Sequence, residues 1–363
     1  MNKDIARYKM HFVTVALLLS YAYIHTTLTG VYTEAPLTEL IDFSVRLPYG
    51  QRMLVPALAH FLAYMLPMEI DQLFFLLEWL FVSLFYYALT KLLAYEFEPR
   101  VAQLLSWLFI LLLPLITVIN YRFNSDGDAT FFYPCDSAAL FFMATGFLFC
   151  LRAQWVYLIP WVFLATFNRE SSILLVLLIP ALYWQHPRTI FKPLLFAILA
   201  YFSARFLIVM SLQDIPGQLM EWYFRGSSYT YFEVNLLWLF NEQHIFLFIF
   251  CFAGLPLFWF AFYDFIPPQY RPIRYVSLCY FLGLLLVGSF MEARIFSEII
   301  ILLYLPVCVA IRCWLISAEP TNAPVRNFAY YLNRYSVLAI LSVVLLFSPT
   351  WNKWVIWLSH HSY

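Results

Sequence analysis

The stretch Arg52–Met65, RMLVPALAHFLAYM, decides how this chain is threaded. It is apolar, but it is shorter than a membrane-crossing helix needs to be and carries Pro56 near its start. Counted as a crossing, it would move every later loop to the opposite side of a membrane and place Arg100 and Arg188 outside. Read as a re-entrant or interfacial helix on the outer face, it lets most of the positive charges fall on one side.

The rest of the chain supplies the crossings. Hydrophobic residues make up 63% of the sequence and charged residues 12%. With a mean hydropathy of +0.76, this is the composition of a polytopic membrane protein rather than of a soluble domain on one anchor. Apolar runs at 11–30, 72–95, 101–120, 136–152, 155–168, 171–185, 193–212, 243–263, 275–291, 294–317 and 336–350 predict about eleven spans. The pair 155–168 and 171–185 also reads as one long helix broken at Asn168-Arg169-Glu170. The first run is too long for a cleaved signal and lacks a small-residue cleavage site, so it is expected to remain as an anchor. The expected fold class is all-α: a transmembrane helical bundle forming one domain over 1–363. Its outer segments are a first loop with the interfacial helix at 31–71, a second loop at 121–136 and a long loop at 213–242.

Cytoplasmic loops retain Lys and Arg. With the N-terminus inside, the inner side collects Lys3, Arg7, Lys9, Lys91, Arg100, Arg152, Arg188, Lys192, Arg271, Arg274, Arg312, Arg326 and Arg334. The expected location is therefore an integral, multi-pass one with a cytoplasmic N-terminus, in a bacterial inner membrane. The acids gather on the other side: Glu34, Glu39, Asp42, Glu69, Asp71, Asp126, Asp128, Asp136, Glu170, Asp214, Glu221, Glu233, Glu242, Glu292 and Glu298. Arg46, Arg52, Arg122, Arg169, Arg225 and Arg294 accompany them. A mixed-charge membrane face points to a polar cavity.

The sequence sets several function classes aside. Six cysteines, mostly inside apolar runs, give no disulfide framework. Zero formal net charge and the lack of a basic-aromatic stripe give no sign of nucleic acid. No phosphate-binding loop, dinucleotide glycine motif or serine elbow occurs. His25, His60 and His244 show no metal-ligand spacing, and the aromatic residues read as interfacial belts.

What remains is chemistry on the outer face. In the first outer loop, VYTEAPLTELIDFSVRLPYGQ, an acid placed near the headgroups can act as general base toward a hydroxyl acceptor. Asp42 is the preferred base, with Glu39 and Glu34 as the next candidates and Arg46 and Arg52 beside them; each acid also reads as an ordinary solvated loop residue. In the second loop, Asp126-Gly127-Asp128 offers two carboxylates for one divalent cation, Mg²⁺ or Mn²⁺, and equally a plain turn. Asp136 opens an apolar run and reads as its N-cap or as a catalytic acid. Arg169 is suited to grip a phosphate, with Glu170 orienting it or capping the next helix. Glu292, Arg294 and Glu298 read as a second substrate-binding group or as a structural ion pair. Glu78 and Arg205, in mid-run, are open to pairing with each other or with polar backbone.

The order and sidedness of these segments resemble the GT-C superfamily of polyprenyl-phosphate-dependent membrane glycosyltransferases. The points of likeness are an acid-bearing first outer loop (Glu34, Glu39, Asp42), an interfacial helix after it (Arg52–Met65) and an acidic motif in the next outer loop (Asp126, Asp128). The chain departs from that plan in lacking an adjacent acidic pair after the first span, a Trp-Trp-Asp motif and a large C-terminal outer domain. The resemblance therefore implies transfer of a single sugar from a polyprenyl-phosphate donor to a cell-envelope glycan or glycolipid acceptor, with the donor's tail in the lipid bilayer. The rival classes are a transporter or flippase of a lipid-linked or small polar substrate, and a glycan polymerase or acyltransferase.

Overall fold

The structure is a computed structural model that describes residues 3–119, 130–224, 227–240, 244–316 and 327–361, with residues 3–7 and 247 by backbone alone. Among the described residues the fold is all-α, without a sheet. The chain divides into two compact units, Met1–Ile179 with His186–Leu219, and Pro180–Gln185 with Met220–Tyr363.

The first unit contains α1 (Lys3–Thr27), α2 (Leu37–Ile41), α3 (Leu54–Met65), α4 (Ile70–Leu93), α5 (Pro99–Thr117), α6 (Asp136–Leu151), α7 (Trp155–Asn168), most of α8 (Ile173–Tyr183) and α9 (Pro187–Ser211). Local sequence sets several of these boundaries. Glu69 and Gln72 form a capping box at the start of α4, and Pro99 and Pro187 open α5 and α9, where a proline's missing N–H is no loss. Helix α4 packs against α6, α1 against α4 and α5, and α7 against α9. Helix α3 has 12 residues, a length of about 18 Å against the roughly 30 Å of a hydrocarbon core.

The second unit contains α10 (Tyr231–Phe240), α11 (Ile245–Cys251), α12 (Leu255–Ala261), α13 (Ile273–Val287), α14 (Ser297–Ile316), α15 (Phe328–Leu346) and α16 (Ser348–His361). The buried Asn235 clamps α10 to the end of α13. Its Nδ2 donates to the Leu285 and Gly288 carbonyls at 3.1 and 2.8 Å, and its Oδ1 accepts from Phe290 N–H at 2.9 Å. Thr230 donates to Asn352 at 2.7 Å and so ties the start of α10 to α16.

Five of the described helices are long and apolar enough to cross a membrane: Ile70–Leu93, Pro99–Thr117, Pro187–Ser211, Ala293–Ile316 and Phe328–Leu346. That is fewer than the expected eleven, and the reason is visible in the backbone. Helices α6, α7, α8 and α13 have 16, 14, 11 and 15 residues, and all fall short of the usual spanning length. The run 243–263 is not one helix. Ala253 (φ 51°) and Gly254 (φ 68°) turn left-handed and Pro256 follows, so the run becomes two seven-residue helices.

The loop between α1 and α3 is pinned to the segment after α9. Leu47 N–H donates to the Pro216 carbonyl at 2.9 Å. Gly217, at φ +118°, lies so close that a Cβ there would be 2.6 Å from Leu47 O. Gly217→Ala should therefore destabilise the protein by about 1–3 kcal/mol. Gly283→Ala, in a helix with nothing within 4 Å of the added carbon, should be neutral or slightly stabilising. Thermal unfolding in detergent compares the two.

Candidate functional site

A cluster of charged and aromatic side chains forms in the first unit where the loop between α1 and α3 meets the start of α6 and the break between α7 and α8. Gly30 pairs with the chain before α6: its N–H donates to Thr130 O at 2.9 Å, and its carbonyl accepts from Phe132 N–H at 2.9 Å. Tyr32 and Tyr49 share a 2.8 Å hydroxyl contact, and the Tyr49 ring faces that of Tyr133 at 6.1 Å. Two loop arginines lie on these rings, Arg46 at 5.3 Å from the Tyr49 centroid and Arg52 at 4.7 Å from that of Tyr133. Arg46 pairs with Glu34, and Arg52 with Glu170 at 3.3 Å.

The centre of the cluster is an ion pair. Helix α7 ends where Arg169 turns extended (φ −160°, ψ 142°), which sends its side chain to Asp136 in the first turn of α6. Arg169 Nη1 donates to Asp136 Oδ1 at 3.1 Å, with side-chain exposures of 4% and 1%. The neighbouring Asn168 donates to the Cys135 carbonyl at 3.1 Å. Asp136 is thus the guanidinium's partner rather than the N-cap of α6, a position Cys135 occupies.

Glu170 projects the other way. Desolvation raises its carboxyl, but the charge of Arg52, then those of Arg169 and Arg205, outweigh it and hold the group down at about 2. A depressed carboxylate contributes stability above its ordinary value, and this is lost as the pH falls from about 4.5 to about 2.

A second buried group lies between α1, α4 and α6. His25 Nδ1 is 2.8 Å from Glu78 Oε1, and Ser137 Oγ donates to the same oxygen. His25 and Glu78 are almost completely buried. Glu78 therefore meets His25, not Arg205 as the sequence allowed. Arg205 instead donates to Gln51 Oε1 at 2.5 Å, and Gln51 Nε2 donates to the Leu219 carbonyl at 2.8 Å.

The structure thus brings together Glu34, Arg46, Arg52, Asp136, Arg169 and Glu170. Glu39 and Asp42 are exposed, on α2 and at its C-terminal end. Asp126 and Asp128, proposed for Mg²⁺ or Mn²⁺, lie outside the described residues together with Arg122, Arg225, Glu242 and Arg326. Among the described residues no three His, Cys, Asp or Glu gather in a way that could hold a metal. Arg294 and Glu292 belong to the second unit, where they pair at 2.6 Å. Sequence reasoning missed Gln51, Tyr49, Tyr133 and Ser137. Their one signal was position, beside loop charges or one residue after Asp136.

No protein-family model matches the chain, and no curated protein matches it either. Its own fold defines the class: an all-α protein with several long apolar helices, consistent with a polytopic membrane protein.

Arg169→Met should cost about 3–5 kcal/mol, because it strips the guanidinium from a buried carboxylate. Adding Asp136→Asn to it should recover most of that loss. Detergent unfolding of the two single variants and the double variant checks the coupling.

Proposed function

We propose that the protein is a membrane glycosyltransferase that moves one sugar from a polyprenyl-phosphate donor to a hydroxyl of a cell-envelope glycan or glycolipid. The observation that carries this reading is the convergence of the loop cations Arg46 and Arg52 with Asp136, Arg169 and Glu170, from segments far apart in sequence. Such charges are expensive next to apolar helices and tend to mark substrate sites. In this reading the shorter apolar helices join the five long ones in a GT-C-like bundle of about eleven passes. The N-terminus is cytoplasmic, in a bacterial inner membrane, and the cluster faces outward.

The acceptor hydroxyl oxygen attacks the anomeric carbon, and the bond from that carbon to the phosphate oxygen breaks. Polyprenyl phosphate leaves with the bonding electrons. Asp42, exposed on the loop that carries Arg46 and Arg52, accepts the hydroxyl proton. Arg52 is better suited to the departing phosphate than Arg169. Its carboxylate partner Glu170 is exposed and can give way to a phosphate, whereas Arg169 is buried against Asp136 and acts by positioning.

A second reading, a proton-coupled transporter or flippase, is favoured by one observation: the His25–Glu78 contact buried among helices.

Purified protein in liposomes without any ion gradient should transfer sugar from a polyprenyl-phosphate donor. Asp42→Asn should lower turnover by about a hundredfold or more, and Arg52→Lys should also impair it by losing the planar fork. Wild-type turnover by Asp42→Asn would move the base to Glu39 or Glu34. Absence of transfer, with substrate flux that follows the membrane potential, would replace this reading with the transporter.

A further inference from the structure

The second unit contains a half-open cavity of about 280 Å³, near the lower end of small-ligand pockets. Two helices line it with the same pattern. Helix α13 contributes Arg274, Ser277, Leu278 and Phe281, and α15 contributes Arg334, Val337, Leu338 and Leu341. Each set runs i, i+3, i+4, i+7 along one helix face, with an arginine at its N-terminal end and mainly apolar residues beyond. Aromatic and aliphatic side chains of α11, α12 and α14 close the other sides.

At the arginine end three guanidinium groups surround the Tyr263 ring, with Arg271, Arg274 and Arg334 at 4.9, 5.1 and 5.8 Å from its centroid. Among the described residues the carboxylate that answers them is Asp264, which accepts from Arg334 at 3.0 Å. Positive charge is therefore in excess. Arg274 is 7% exposed. Its Nη2 donates to Tyr275 OH at 2.8 Å and to Asn333 Oδ1 at 2.5 Å. Its Nε and Nη1, and Ser277 Oγ, are buried without a hydrogen-bond partner among the described residues. A desolvated guanidinium left with open donors calls for an anion.

We propose that this cavity binds one anionic membrane lipid, with its phosphate on Arg274 and the first part of a hydrocarbon chain along the α13–α15 stripe. A soluble phosphate would satisfy the arginines but leave the apolar arm unfilled. Helix α15 buries none of its residues and is long and apolar enough to cross a membrane, so lipid is at hand beside the cavity. On the sidedness expected from Lys and Arg, the arginine end faces the cytoplasmic leaflet, where anionic lipids concentrate. The site is independent of the sugar-transfer reading and can stand or fall without it.

The test uses the full chain, delipidated in detergent, and follows thermal unfolding with phosphatidylglycerol, phosphatidylcholine or inorganic phosphate. Phosphatidylglycerol should raise the unfolding temperature by about 4 °C or more, and the other two by about 1 °C at most. Arg274→Gln should abolish the shift. Leu341→Trp should abolish it too by filling the apolar arm without touching an arginine, and it carries the test if Arg274→Gln does not fold. An equal shift from phosphatidylcholine, a full shift from inorganic phosphate alone, or an undiminished phosphatidylglycerol shift in Leu341→Trp would overturn the proposal.

Discussion

The ion pair between Asp136 and Arg169 is the contact on which the first unit's polar cluster depends. Charges this deeply buried persist only when matched, because desolvating either one alone costs several kcal/mol. The match fixes more than two side chains. It sets where α6 begins, holds the end of α7 extended, and so turns Glu170 outward to meet Arg52. The aromatic rings of Tyr49 and Tyr133 then carry the two loop arginines on their faces.

Interrupted helices such as α7 and α8 need this kind of support. Backbone groups freed at a break between apolar helices must find their hydrogen bonds inside the protein. Here Arg169 N–H donates to the Ala165 carbonyl at 3.0 Å and Ser172 N–H to the Arg169 carbonyl at 3.2 Å, while the side chains of Thr166 and Ser172 share a 2.8 Å hydroxyl contact across the break. Polar residues that look out of place in an apolar run are thus part of how that run can bend.

The helical class and the positions of α4, α5, α9 and α14 were legible in the sequence, because long apolar runs leave few other structures. The beginning of α15 was not, since Tyr330, Asn333 and Arg334 give its first turns a polar look. The break at Gly254 was hidden by the phenylalanines and leucines around it. Of the cluster, the importance of Asn168-Arg169-Glu170 could be read, but its partners could not. Asp136 lies 33 residues away, and a chain that is apolar on every face says nothing about which helix faces which. The same blindness left Glu78 open to Arg205 or to polar backbone, when α4 turns it toward His25.

The contacts of Gln51 carry a consequence for the order of biogenesis. Gln51 accepts from Arg205, 154 positions away, and donates to Leu219, 168 positions away. At ribosomal speeds of about 5–20 residues per second, the first loop emerges roughly ten to thirty seconds before its anchors exist. Until α9 has been made, Arg46 and Arg52 belong to a segment still missing those tethers. The polar cluster is therefore a late product of synthesis, completed by the arrival of a helix encoded far downstream of the loop it secures.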